Sequence, residues 1–273
     1  MRRMLIPVLF FSFVSMGRVS AKDYVKYNPE ISAPITLGTL SFWLAGEFLK
    51  DTLAPKKCRW CRKMCFDELI RKKISWGSDR DTAHHISNII LASIPIINMG
   101  FLGFSGEDAF TSGARFSENG FAFLVGIETL GAALFLNQAV KFVVARERPL
   151  TRYTFGDKKE NSDLRLSFYS GHTTAAFAFA TASSVLIQMK GWKYASVSWG
   201  VNMTLATLTG YFRIAADRHY FSDVLIGAIT GIAAGLLIPR LHKVSSDSES
   251  NTKSELNIIP KQVHWIFSMG IPF

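Results

Sequence analysis

The chain has 273 residues and a mass of 30.4 kDa, room for one large domain with at most a small appendage. Hydrophobic residues make up 48%, with 22 Phe, yet mean hydropathy is only +0.18, between ordinary soluble enzymes and polytopic membrane proteins. The net charge of +10 suits an anionic lipid surface or a phosphate-bearing substrate, and with no basic arm or aromatic-basic ribbon in view nucleic acid ranks last as a partner.

The chain opens with Arg2 and Arg3, an apolar run from Leu5 to Met16, and the small residues Val19-Ser20-Ala21. That order of basic, apolar and small residues reads as an export signal over residues 1–21, cleaved or kept as an anchor. The run is shorter than the roughly 20 residues that span a bilayer as a helix. Either form places the chain in a bacterial cell envelope. Residues 22–81 then form a first apolar helix followed by a basic stretch carrying Cys58, Cys61 and Cys65. A Cys-x-x-Cys pair in an exported chain suits a disulfide, with the third thiol left over. Zinc is the sharper alternative, but a fourth ligand is missing nearby, so no metal site is assigned.

Six apolar segments cover residues 31–49, 83–104, 121–140, 173–189, 194–212 and 222–239. Their lengths, ~17 to 22 residues, fit membrane-spanning or fully buried helices rather than strands. Their interiors are rich in Gly, Ala, Ser and Thr, which lets helices approach closely. The expected fold is therefore all-α, a bundle of about six helices with its site at one end, and a core over residues 82–243. Glu47 and Glu128 are charged residues inside these segments, expected at helix ends or facing the bundle. Loops are expected at 50–81, 105–120 and 150–169. Residues 244–273 read as a Ser- and acid-rich linker with a tail that has hairpin character from Leu256 on. The His84-His85 pair reads as an ordinary helix start rather than a metal site.

Three short segments concentrate groups that an apolar bundle otherwise avoids. In the first, Lys141 and Arg148 lie seven residues apart and Pro149 follows, so two cations on one helix face are expected at a helix mouth. Such a pair suits phosphoryl oxygens, which Arg can grip bidentately; a basic membrane flank is the plainer reading. In the second, Ser170 and Gly171 precede an apolar helix, an arrangement for a capping hydroxyl and a close backbone approach to an anion. His172 then stands where it can protonate a leaving oxygen. In the third, Arg213 precedes His219 and Asp223. Their four-residue spacing lets a helical carboxylate orient one imidazole nitrogen and leave the other as a nucleophile. A structural His–Asp pair is the plainer alternative.

Together these segments resemble the type-2 phosphatidic acid phosphatase and vanadium haloperoxidase superfamily, whose signature is Lys-x6-Arg-Pro, then Pro-Ser-Gly-His, then Ser-Arg-x5-His-x3-Asp. The first part is matched by Lys141, Arg148 and Pro149. The second is matched by Ser170, Gly171 and His172, with Tyr169 in place of proline. The third is matched by Arg213, His219 and Asp223, with Phe212 in place of serine. The resemblance covers residues 80–240 and implies a phosphatase needing neither cofactor nor metal. In that mechanism Lys141, Arg148, Ser170, Gly171 and Arg213 hold the phosphoryl group. His219, oriented by Asp223, attacks phosphorus, and His172 serves as acid and then base.

A membrane lipid phosphate or pyrophosphate is the expected substrate and the membrane an expected partner. A vanadium haloperoxidase, an exported soluble acid phosphatase and a non-catalytic lipid-binding or transport protein are the alternatives. The basic 50–81 stretch points the site end to the cytoplasm by the positive-inside rule. The export signal and the resemblance point it to the periplasm, and a periplasm-facing site in the inner membrane is the expectation taken here.

Overall fold

The computed structural model describes residues 23–62, 64–104, 113–153 and 162–245. The leader expected at 1–21 and the tail from 246 onward lie outside these residues, as do 105–112 and 154–161 of the two loops.

All six apolar segments are long helices: α1 (Pro29–Phe48), α4 (Arg80–Phe104), α5 (Gly113–Val144), α7 (Gly171–Met189), α8 (Ala195–Ala215) and α9 (Phe221–Leu241). Three short helices sit between them: α2 (Lys50–Leu53), α3 (Cys65–Ile74) and α6 (Pro149–Tyr153). The start of α1 follows from its sequence. Asn28 caps it, accepting the Glu30 N–H at 3.1 Å, and Pro29 takes the first helical position, where no N–H is needed. Helix α5 begins at Gly113, eight residues before its apolar segment, because a helix outlasts its greasy stretch when its first turns are polar. Among the described residues the one departure from all-α is a ladder of two three-residue strands, β1 (Asp23–Val25) antiparallel to β2 (Lys243–Ser245).

Helix α7 runs through the middle, packed against α4, α5, α8 and α9, and all but two of its residues are buried. Its alanines make this possible. Against it lies the stripe Gly227, Gly231 and Gly235 of α9, spaced one helical turn apart. A Cβ on Gly231 would stand 2.6 Å from the Thr174 carbonyl oxygen, so only glycine permits this approach. Deeper in the bundle Asn98 and Asn202 exchange amide hydrogen bonds at 2.8 and 3.0 Å, and Asn202 donates to Ser184 Oγ at 2.8 Å. This satisfied polar bridge ties α4, α8 and α7 where no water competes.

Three helical stretches, Gly77–Phe104, Asn119–Val144 and Phe221–Leu241, are long and apolar enough to cross a membrane. Their outward faces are greasy: Ile89, Ile96 and Met99 on α4, Leu136 and Val143 on α5, Ile229 and Leu237 on α9 are all exposed. Glu47 sits near the end of α1 beside Lys50, and Glu128 meets His242 Nε2 at 3.2 Å, so both acids occupy the helix-end or bundle-facing places expected of them.

Candidate active site

The site lies at one end of the bundle, where the ends of α5, α7, α8 and α9 converge with the 145–149 and 162–170 segments. It opens into a cavity of about 490 Å³. Lys141, Arg148, Gly171, His172 and Arg213 line its polar end, joined by His84, Asp163 and Arg218. Glu47 and Lys50 also line it near Asp163, and Trp43, Leu91, Ile94, Leu130, Leu134 and Phe179 supply its aromatic and aliphatic wall.

The expected phosphate-binding residues come together, though not all by the expected route. Helix α5 ends at Val144, four residues short of Arg148, because Ala145 turns left-handed at φ 46. Arg148 is therefore not one face of a two-turn pair with Lys141. It enters the cavity from the extended segment after α5, and Pro149 starts α6 instead of ending α5. Ser170 caps α7 as expected, its buried Oγ accepting from Thr173 N at 3.4 Å and from Thr173 Oγ1 at 2.8 Å. At Gly171 a Cβ would stand 2.9 Å from Asn137 Oδ1 and 3.2 Å from Lys141 Nζ, so glycine lets the lysine reach the helix start.

The charges at this end do not balance. Arg148 donates to Asp163 through Nε to the carbonyl at 2.7 Å and through Nη2 to Oδ1 at 2.9 Å. Burial alone pushes the Asp163 carboxyl up, but Arg148, Lys141 and Lys50 outweigh it and hold the group below its ordinary range. Neither Lys141 nor Arg213 pairs with a carboxylate among the described residues, and the buried Nε of Arg213 has no hydrogen-bond partner among them. Buried cations that face a cavity without a carboxylate carry a desolvation cost, which an anion entering the cavity offsets.

His219 is buried at this corner, 1% exposed. Its Nδ1 donates to the Ser167 carbonyl at 2.8 Å, which fixes the proton on Nδ1 and leaves the lone pair on Nε2. Burial, then the charges of Arg148, Arg213 and Lys141, holds the ring well below the usual imidazole range, so it is neutral near pH 7. The expected direct grip by Asp223 is corrected here. Asp223 Oδ2 lies 3.8 Å from His219 Nδ1, beyond hydrogen-bond reach. Helix α9 starts only at Phe221, so Asp223 is its third residue and its carboxylate turns back to accept the Tyr220 N–H at 2.9 Å. The same carboxylate accepts from Ser167 Oγ at 2.6 Å and from Arg146 at 2.5 Å. Asp223 thus acts on His219 through Ser167.

His172 Nε2 meets Asn88 Oδ1 at 2.9 Å. His84, read from sequence as a plain helix start, lines the cavity, and its Nδ1 accepts from Arg213 at 2.8 Å. His85 is exposed. Arg146, Asp67, Ser167, Asp163, Arg218, Asn88 and His84 escaped the sequence reading. The signal that was available was an Arg-x-Arg at 146–148 in an apolar context.

Cys58 and Cys61 form a disulfide and Cys65 is a free, exposed thiol. Among the described residues no group of three or more His, Cys, Asp or Glu is placed to hold a metal ion.

Residues 122–247 match the family model of the PAP2 superfamily. That stretch, a little under half of the chain, is similar to the PAP2 superfamily. The match takes in α5 from its third turn onward through α9 and every residue of the three signature segments, whereas α1 to α4 precede it. Over 86 residues the chain is 37% identical to a lipid A 1-phosphatase of Porphyromonas gingivalis, 32% of this chain and 18% of that protein. Over 88 residues it is 30% identical to human phospholipid phosphatase 2, 30% of each. The chain spans less than a third of the length of these two relatives. A crystal structure of a transmembrane PAP2 type phosphatidylglycerolphosphate phosphatase from Bacillus subtilis is similar at a TM-score of 0.48 and 20% identity, over 75% of this chain and 96% of that one.

Proposed function

We propose that this protein is a membrane-embedded phosphatase that hydrolyses a lipid phosphate or pyrophosphate through a phosphohistidine on His219. The observation that carries this reading is the two-ended cavity: cations in excess at one end, aromatic and aliphatic side chains along the rest. A phosphate joined to an apolar tail fits both ends at once. The relatives' names, a lipid A 1-phosphatase and a phospholipid phosphatase, support the same substrate class.

Lys141, Arg148 and Arg213, with the amides at the start of α7, hold the equatorial phosphoryl oxygens and stabilise the charge of the transition state. His219 Nε2 attacks phosphorus; the N–P bond forms as the bond to the departing oxygen breaks, and protonated His172 gives that oxygen its proton. Neutral His172 then takes a proton from water as the water oxygen attacks phosphorus and the N–P bond breaks. The three fixed cations do the electrostatic work of a metal ion, so turnover is expected to survive chelators. The working location is a bacterial inner membrane with the site facing the periplasm.

The test is phosphate release by the detergent-solubilised protein from phosphatidic acid, phosphatidylglycerol phosphate, undecaprenyl pyrophosphate and lipid A phosphates, with His219→Ala as control. Release from at least one of them, lost in the variant and indifferent to chelator, is the expected result. Silence across the panel, or full activity in His219→Ala, sinks the reading. Bromide oxidation with vanadate and peroxide in the same preparation would move the assignment to a haloperoxidase.

A further inference from the structure

Helix α4 lies ahead of the matched PAP2 residues and contains none of the signature segments, yet it sends two polar side chains into the site. Ser87 stands beside them, 3.4 Å from Arg213 Nη1. His84 and Asn88 are one turn apart on the cavity-facing side of α4, while Ile89, the next residue, faces outward. A half-buried amide between two imidazoles in a site rich in cations is an expensive choice for an apolar helix. It calls for a reason.

We infer that Asn88 is a positioning residue that sets the working tautomer of His172. The amide oxygen of Asn88 lies 2.9 Å from His172 Nε2, and an oxygen in that place can only accept. The neutral ring therefore carries its proton on Nε2, leaving Nδ1 for proton transfer. Both halves of the proposed reaction need that arrangement. Protonated His172 has hydrogens on both nitrogens, and Asn88 accepts the Nε2–H while Nδ1–H goes to the leaving oxygen. After transfer the ring is neutral, still held through Nε2–H, with the Nδ1 lone pair ready for the water proton. An amide turned the other way would point its N–H at Nε2 and oppose the protonated form. A guanidinium can only donate, so the 2.8 Å contact makes His84 Nδ1 the acceptor for Arg213 and steadies that arginine at the cavity wall. With Nδ1 accepting, neutral His84 carries its proton on Nε2, so its 3.5 Å approach to Asn88 Nδ2 sets donor against donor and forms no hydrogen bond. One helix thereby fixes the acid–base histidine and one arm of the phosphate clamp.

This inference rests on the phosphatase reading for its chemistry, but not for its hydrogen bond. The experiment has two arms. In the first, kcat and KM are followed against pH for the parent, Asn88→Leu and Asn88→Asp on whichever lipid phosphate is turned over. Asn88→Leu removes the acceptor at similar volume and is expected to lower kcat about 10- to 100-fold with KM within about threefold. Asn88→Asp keeps an acceptor and adds charge; it is expected to stay within about tenfold of the parent and move the alkaline limb of the kcat profile to higher pH. Equal losses in both variants with an unmoved profile would overturn the assignment, since a merely structural role predicts that outcome. In the second arm, nitrogen NMR of histidine-labelled parent protein reads the His172 tautomer directly. A neutral ring protonated on Nε2, becoming a tautomer mixture in Asn88→Leu, supports the assignment; an Nδ1–H ring in the parent refutes it. If no lipid phosphate is hydrolysed the phosphatase reading fails alone, and the NMR arm still decides Asn88.

Discussion

Arg146 and Arg148 are two residues apart and both are buried, at 1% and 4% exposed, but they live in opposite electrostatic worlds. Arg146 bridges Asp67 at 2.7 Å and Asp223 at 2.5 Å, and its guanidinium lies between the rings of Trp60 and Tyr220, 4.2 and 4.4 Å from their centroids. Every charge there is answered from within the protein. Arg148 shares one carboxylate and faces a cavity with Lys141 and Arg213, which pair with none among the described residues. The first cation has its carboxylates within the protein; the cations of the second are matched by an anion from outside. Adjacent cations in one sequence motif can therefore have separate jobs, one holding the corner together and one holding what the corner acts upon.

That contrast can be broken in order of expected effect. Replacing the proposed nucleophile, His219→Ala, is expected to lower phosphate release by about 10³-fold or more while the protein still folds, measured as kcat beside a thermal melt. Arg213→Met should lower kcat/KM about 10²- to 10³-fold, yet unfold no earlier than the parent because it relieves like-charge repulsion. Arg146→Met should do the reverse, leaving Asp67 and Asp223 buried without their counter-ion at a loss of about 3–5 kcal/mol in denaturant unfolding. If Arg146→Met melts like the parent and Arg213→Met does not, the division of labour is wrong. Gly171→Ala crowds Asn137 and Lys141 and is expected to reduce kcat about 10- to 100-fold by displacing the clamp.

The smallest effect is in pH dependence. Because His219 is held neutral in the fold, the unfolded chain binds a proton more readily, so the stability it confers is full above about pH 6.5 and declines as pH falls. The unfolding midpoint should drop between pH 7.5 and 5.5, and His219→Gln should flatten that slope. An unchanged slope would mean the ring is already charged in the native state.

The six long helices were legible because each is an apolar run of the right length, and the small residues that mark their contacts, such as Gly227 and Gly231, are visible as letters. The signature residues were legible for the same reason, as spacings along the chain. What spacing misjudged was direction. His219 and Asp223 are four apart, but the helix starts between them, so the carboxylate caps α9 instead of gripping the ring. Likewise Lys141 and Arg148 are seven apart, but Ala145 ends the helix between them. What spacing could not reach at all were partners brought in from afar. Asp67 meets Arg146 across 79 residues and Asn88 meets His172 across 84, and nothing in either local sequence announces the other.

The glycine stripe of α9 has a mechanical meaning. Where two helices touch backbone to backbone, their separation is a property of the peptide unit itself, with no flexible side chain to take up slack. Gly231 therefore gauges the distance between α7 and α9, and the corner bearing His219 is cantilevered from that gauge at the start of α9. Even a single methyl group at Gly231, which rests on the first turn of α7, would act as a shim. The catalytic corner inherits its tolerance from the tightest joint in the bundle.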